Sequence, residues 1–256
     1  MNNPALRLQN WLGMQGLALR NSLAMASGVL HAMPEVARWP VRRALLKQLY
    51  FTGIESVGPV TVMAFLAGLI VVMQVSNLVG RNELLTLQAL IWTMVRELGP
   101  LLTAIVIVGR SSSAIASELA AMQVNGEIRS LQRMGISPVG YLVVSRMLAM
   151  TLTSAVLTFY FQVIAIGTGM VVTAWHIDVS LFGEVGHFFE MVSYVEIFAA
   201  LLKSLCFGML VSAVPCYHGL TVKRGMAGIP VAASRAVMRS LMAVFACDGL
   251  ITVLLF

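Results

Sequence analysis

Residues 57–79 read VGPVTVMAFLAGLIVVMQVSNLV, a stretch without a single charged side chain. About 20 apolar residues in a helix cross a hydrocarbon core of about 30 Å, so this stretch predicts a transmembrane helix. Pro59 lies near its start, where a missing backbone N–H does little harm. The sequence therefore predicts at least one membrane span.

Four more apolar stretches follow, at residues 84–108, 147–175, 197–217 and 240–256. The chain is 59% hydrophobic and 11% charged, whereas soluble domains carry about 25% charged residues. The pattern predicts an all-α integral membrane protein with five transmembrane helices. Residues 57–256 form the five-span domain, and residues 1–56 contribute interfacial helices that precede it.

The distribution of charge predicts the orientation of the spans. Arg and Lys are concentrated before span one, between spans two and three, and between spans four and five. The segment between spans three and four holds Asp178, Glu184 and Glu190 but no Lys or Arg. The positive-inside rule then makes the N-terminus cytoplasmic and the C-terminus external. The same rule accounts for the net charge of +6, so no nucleic-acid partner is predicted.

Residues 5–33 are apolar but interrupted by Arg7, Arg20, Asn21 and Ser22. They could form a sixth span or an amphipathic helix lying on the cytoplasmic face of the membrane. A sixth span would place Arg7 and the basic cluster at residues 42–47 on opposite sides, against the charge rule. The surface helix is the favoured interpretation.

Residues 111–138, between spans two and three, are too polar to cross the membrane. Apolar residues recur there at helical spacing with charged residues between them: Glu127, Ile128, Arg129, Leu131 and Arg133. One interpretation is a plain cytoplasmic connector. The other is a coupling helix, a short amphipathic element that docks on a cytoplasmic motor subunit.

Arg96 and Glu97 lie near the middle of span two, where ionisable residues are costly and indicate a functional site. Consecutive residues of an α-helix point to different faces, so these two side chains are not expected to satisfy each other. They could hold helices together through partners elsewhere. Alternatively, at least one of them faces a lipid-filled cavity.

Lys203 and Asp248 are also charged residues within apolar spans. Counting from the external ends of spans four and five places them at similar depths, about 9 and 12 Å. We expect them to form a buried ion pair with a structural role. The alternatives are that Lys203 snorkels to the outer interface, or that a protonated Asp248 bonds to the backbone.

Enzyme motifs are absent from the sequence: it contains no GxxxxGK[ST], HExxH or GxSxG. The histidines are scattered, and no catalytic residue, metal site or cofactor is predicted. A membrane enzyme acting on lipids is the main alternative function, and a scaffold or ion channel is a third. The enzyme would depend on polar residues of the external loop: His176, Asp178, Glu184, His187 and Glu190.

The stretch RELGPLLTAIVIVGRSSSAIASELAAMQVNGEIRSLQRMGISPVGYLVVSR, residues 96–146, resembles the signature region of MlaE/YrbE-type permeases. These permeases are membrane subunits of ABC transporters that work with MCE-domain proteins on phospholipids and related lipids. The shared positions are residues 96–100, 109–110 and 113–114, with Glu118, Met122, Met134 and Pro138. The chain departs from the family pattern at Ser112, at residues 126–128 and at Ser145.

The resemblance implies a permease subunit of a lipid transporter in the bacterial inner membrane, with its C-terminus in the periplasm. It implies a homodimer, or a heterodimer with a paralogue, bound to cytoplasmic ABC ATPase subunits and to a periplasmic MCE-domain protein. Substrate-binding residues would be Arg96, Glu97 and Leu98 with Leu69, Val72 and Met73. ATPase-coupling residues would be Glu118 together with Glu127, Ile128, Arg129, Leu131 and Arg133.

Overall fold

A computed structural model describes residues 39–79, 83–177, 191–192, 194–222 and 225–255. These residues are almost entirely helical, and no strand occurs among them. Helices are expected where apolar segments leave water, because a helix satisfies its own backbone hydrogen bonds. The predicted interfacial helix at residues 5–33 lies outside the described residues.

Nine α-helices are described. They are α1 (Trp39–Leu49), α2 (Glu55–Val79), α3 (Glu83–Ile91), α4 (Gly99–Ile107), α5 (Ser113–Val124), α6 (Glu127–Arg133), α7 (Val144–Ile177), α8 (Tyr194–Leu220) and α9 (Gly228–Leu255). Short π-helical segments, in which each N–H bonds five residues back, join several of them in line. These segments are Tyr50–Ile54, Trp92–Leu98, Val108–Ser112 and Val139–Val143.

Within the described residues, five helical stretches are long and apolar enough to cross a membrane, which confirms the predicted fold class. They are Arg42–Leu78, Leu85–Val124, Val139–Trp175, Tyr194–Leu220 and Gly228–Leu255. Three of them extend well beyond the predicted spans. The first begins at Arg42 rather than at residue 57, the second continues past residue 108 to Val124, and the fifth begins at Gly228 rather than at residue 240. Hydropathy marks only the part of a helix that contacts lipid, whereas backbone hydrogen bonds continue the helix into water.

The chain divides into two compact units. The first comprises residues 39–48, Val108–Ala149 and Met209–Ala243 among those described. The second comprises the described residues of Leu49–Ile107, Met150–Gly208 and Val244–Phe256. The long helices contribute residues to both units.

Small residues bring helices close together within each unit. In the second unit, a Cβ atom added to Gly68 of α2 would lie 2.3 Å from the backbone oxygen of Ala165 on α7. In the first unit, a Cβ atom added to Gly219 of α8 would lie 2.9 Å from the Ala116 oxygen on α5. Without a strong hydrophobic drive between helices in lipid, such close backbone contacts are a main source of packing energy.

Helix α6 is the short helix that follows the second span. It is delimited by two glycines in the left-handed region, Gly126 at φ 80° and Gly135 at φ 75°. At its end the Gly135 N–H bonds to Gln132 O at 3.1 Å and the Ile136 N–H to Leu131 O at 3.0 Å. These two bonds form a Schellman cap, which favours glycine because its backbone turns left-handed. The separate helix of the predicted coupling segment is therefore confined to Glu127–Arg133.

Candidate functional site

The second span contains a π-helical segment at Trp92–Leu98, which ends two residues before Pro100. The Gly99 N–H bonds to Met94 O, five residues back. Pro100 has no N–H and cannot continue this pattern, so the preceding turn is left with unpaired carbonyl oxygens. Unsatisfied backbone groups are costly within a membrane, and π-helical segments often mark functional sites.

Two side chains from other helices bind the carbonyl oxygens of this turn. Gln162 on α7 donates from Nε2 to Val95 O at 3.1 Å. Lys203 on α8 donates from Nζ to Arg96 O at 3.1 Å. Both contacts lie in the second unit, and neither was predicted from the sequence. The only signal in the sequence for the first contact was a polar residue, Gln162, within an otherwise apolar span.

Lys203 is completely buried, and its ammonium group is the centre of a charge cluster. It donates to Glu97 Oε2 at 2.7 Å and to Thr252 Oγ1 at 2.8 Å, in addition to Arg96 O. Its three protons are thereby used. Asp248 Oδ1 lies 2.9 Å from Nζ, within ion-pair distance, but has no hydrogen-bond partner. Lys203 thus lies within ion-pair distance of two carboxylates at once.

The structure therefore places Lys203 and Asp248 next to each other, and their structural role stays a prediction. Glu97 and Thr252 were not predicted to join this pair. The Thr252 hydroxyl also lies 3.3 Å from each Glu97 carboxylate oxygen, which links span two to span five. Two roles were left open for Glu97, a partner that holds helices together and a lipid-facing residue, and these contacts correspond to the first.

Arg96 and Glu97 contact each other: Arg96 Nε lies 3.7 Å from Glu97 Oε1. This differs from the expectation for consecutive residues of an α-helix. A π-helical turn contains more residues, so consecutive side chains diverge by a smaller angle. The cluster holds two cations and two anions and is formally neutral. The Arg96 and Glu97 side chains remain 27% and 34% exposed, so one end of the cluster is accessible.

The apolar residues predicted to line the lipid path differ in exposure. Met73 is exposed, and Leu69 and Leu98 are half-buried. Val72 is completely buried, and its Cγ2 atom would lie 3.1 Å from a Cβ atom at Gly169 on α7. Three of the four residues thus keep surface that acyl chains could contact.

In the first unit, the residues of α6 have the exposure expected of an amphipathic docking helix. Glu127, Arg129 and Arg133 are exposed, Leu131 is half-buried, and Ile128 is buried. The helix thus buries one apolar side chain, Ile128, while its charged side chains face outward. No contact of the described chain tests whether a motor subunit binds there.

Glu118 on α5 forms an ion pair with Arg146 on α7, with Oε2 and Nη2 2.7 Å apart. Arg146 is nearly buried and also donates from Nη1 to Leu142 O at 3.3 Å. Glu118 is more than half exposed. It can therefore fix α7 to α5 and still present a carboxylate oxygen to a partner.

The residues on which a lipid-modifying enzyme would depend lie largely in residues 178–190, outside the described part of the chain. Within the described part, no group of three or more His, Cys, Asp or Glu side chains is arranged to hold a metal ion.

Comparison with known proteins identifies the family. The family model "Permease MlaE" matches residues 45–254. A probable ABC transporter permease protein of Synechocystis is 31% identical over 220 residues, covering 84% of this chain and 82% of the relative. A probable ABC transporter permease protein of Rickettsia typhi is 28% identical over 216 residues, covering 83% of each chain. The intermembrane phospholipid transport system permease protein MlaE of Haemophilus influenzae is 26% identical over 246 residues, covering 93% and 92%.

The matched region contains nearly all of the five candidate spans and the whole charge cluster, and the relatives are permease subunits of ABC transporters by name. The chain therefore belongs to the MlaE permease family, and it is a multi-pass membrane permease of the ABC transporter class rather than an enzyme.

Proposed function

We propose that this permease moves phospholipid between the inner membrane and a periplasmic MCE-domain protein, driven by a separate cytoplasmic ATPase. The observation that supports this proposal most directly is the partly exposed Arg96–Glu97 end of the buried charge cluster. The name of the Haemophilus relative points to the same substrate class.

The chemistry of the cluster suits a lipid headgroup. The planar guanidinium of Arg96 can bind a phosphate with two parallel hydrogen bonds. Lys203 is held by Glu97, Thr252 and the Arg96 carbonyl, so it orients the turn and is not available to the headgroup. Leu69, Met73 and Leu98 provide apolar surface for the acyl chains.

The proposal includes three kinds of partner. ATP hydrolysis belongs to ABC ATPase subunits, since this chain has no phosphate-binding GxxxxGK[ST] loop. A second permease subunit, either a copy of this chain or a paralogue, completes the membrane core. The MCE-domain protein receives or delivers lipid on the periplasmic side, where the charge rule places the C-terminus.

Photo-crosslinking in cells tests the lipid path. A photo-reactive amino acid at Leu98 or Leu69 should capture phospholipid, because both side chains keep exposed surface in the second unit. Capture should change by about threefold or more when the ATPase partner is made inactive, since a transported lipid turns over. The measurement is mass spectrometry of the crosslinked lipid.

Val163 on α7 is the matched control, because it is strongly exposed and lies in the same unit. A crosslinker at Val163 should capture bulk lipid to the same extent with an active or an inactive ATPase. If Leu98 and Leu69 capture no lipid while Val163 does, the substrate path has been assigned to the wrong residues.

The coupling assignment is tested by charge reversal on α6. The variants are Glu127→Lys, Arg129→Glu and Arg133→Glu. Each places a like charge against a complementary surface of the partner, so the amount of co-purified ATPase should fall about tenfold. Membrane insertion should be unchanged, because all three side chains are exposed.

Arg42→Glu serves as the control, since Arg42 is an exposed basic residue on α1, outside the coupling segment. Full recovery of ATPase with all three α6 variants would show that the motor subunit docks elsewhere.

A further inference from the structure

A second cluster of positive charge lies in the first unit, at the N-terminal part of α9. Arg235 and Arg239 are one helical turn apart, so they lie on adjacent parts of one helix face. Residues 218–247 contain no Asp or Glu. In the part of the chain that the structure describes, neither arginine is paired with a carboxylate.

Arg239 is held in place by a buried histidine of the neighbouring helix. His218 lies two residues before the end of α8, and its Nε2 atom is 3.1 Å from Arg239 Nη1. A guanidinium can only donate hydrogen bonds, so Nε2 accepts and the ring proton is on Nδ1. This contact uses one of the five N–H donors of Arg239 and leaves the charge without compensation.

The position of the two arginines along α9 is that of a membrane interface. The apolar part of the fifth span was predicted to begin at residue 240, directly after Arg239. The contact with His218 places Arg239 level with the last residues of α8. By the charge rule, this end of both helices is cytoplasmic.

The face of α9 that carries Arg235 is otherwise apolar and exposed. Val231 lies four residues before Arg235. Met238 lies three residues after it, and Met242 seven. This spacing places all four side chains on one face of the helix. An arginine at the interface followed by methionines toward the membrane interior matches a phospholipid, with its phosphate at the arginine and an acyl chain along the methionines. A soluble phosphate ion would use only the arginines.

We propose that Arg235 and Arg239 bind the phosphate of an anionic phospholipid of the cytoplasmic leaflet. This lipid is resident at the protein surface and is distinct from the lipid proposed to be transported. His218 is a positioning residue, because it orients Arg239 toward the headgroup without touching the lipid. Anionic rather than zwitterionic lipid is favoured, because two like charges one turn apart need a net negative ligand.

Binding of phosphatidylglycerol to the purified permease, with its ATPase partner, tests this site. Affinity should be measured in detergent by native mass spectrometry, with phosphatidylcholine and inorganic phosphate as competitors. Each arginine near a membrane surface contributes about fivefold to the affinity for anionic lipid. The double variant Arg235→Gln with Arg239→Gln should therefore weaken phosphatidylglycerol binding about 25-fold. His218→Phe should weaken phosphatidylglycerol binding by no more than about fivefold, the contribution of Arg239 alone.

Arg42→Gln is the matched control, since it removes an exposed cytoplasmic arginine from α1 and should change affinity less than twofold. If the double variant does not fold, Arg235→Lys with Arg239→Lys keeps the charge and should retain binding within about fivefold. The proposal is overturned if Arg235→Gln with Arg239→Gln binds phosphatidylglycerol within twofold of the parent, or if Arg235→Lys with Arg239→Lys loses binding to the extent expected of the glutamine variant, about 25-fold. It is equally overturned if inorganic phosphate or phosphatidylcholine competes as well as phosphatidylglycerol, or if the variants only change self-association of the permease.

Discussion

Replacing Lys203 with methionine should destabilise the permease by about 3–5 kcal/mol, the cost of breaking a buried charge pair. The reason is that one buried ammonium forms ion pairs with Glu97 and Asp248 and donates a hydrogen bond to the backbone carbonyl of Arg96. Methionine has similar volume, so the loss reflects charge rather than packing. The free energy of unfolding in mixed micelles is the measurement.

Asp248→Leu provides the comparison. Lys203 keeps its hydrogen bonds to Glu97, Thr252 and Arg96 in this variant, so the loss should be smaller than for Lys203→Met. The double variant Lys203→Met with Asp248→Leu should be more stable than Lys203→Met alone, with a coupling energy of about 0.5–3 kcal/mol. Additive losses, or two harmless single changes, would mean that the two side chains do not interact in the membrane.

Gly68→Ala is the second change with a large expected effect. The new Cβ atom would lie 2.3 Å from the Ala165 backbone oxygen, so α2 and α7 must move apart. Overpacking of this kind costs about 1–3 kcal/mol, and here the obstacle is backbone, which cannot change rotamer. The thermal unfolding midpoint and the yield of the purified complex should both fall.

Gly58→Ala on the same helix is the control. Nothing lies within 4 Å of a Cβ atom at Gly58. The added methyl group should be neutral, or stabilise the helix by up to about 1 kcal/mol. Equal stability of the two variants would show that α2 and α7 do not make the close contact at Gly68.

Much of the fold could be predicted from apolar length alone. Each predicted span lies largely within a helix of the structure, because a segment in lipid has few alternatives to a helix. Helix ends in water were predicted less well, as the continuation of the second span to Val124 shows. The charge cluster was predicted in part, since equal depth in antiparallel spans suggested that Lys203 could meet Asp248.

The contacts that complete the cluster could not be predicted in this way. Depth can be counted along a helix, but the direction of a side chain depends on how each helix is rotated about its axis. The π-helical turn at Trp92–Leu98 changes that rotation, and it turns Glu97 to within 3.7 Å of Arg96 and 2.7 Å of Lys203. No periodicity in the sequence marks such a turn, although a proline such as Pro100 interrupts helical hydrogen bonding.

The amino-acid sequence by itself determined the five spans, the expected orientation and, through residues 96–146, the family. These properties follow from apolar length, basic flanks and a local motif, all of which are read along the chain. The tertiary structure alone decided that Glu97 and Thr252 join Lys203 and Asp248, that Gln162 binds Val95 O, and that His218 holds Arg239. Those contacts join residues between 21 and 155 positions apart, so they exist only once the helices have packed.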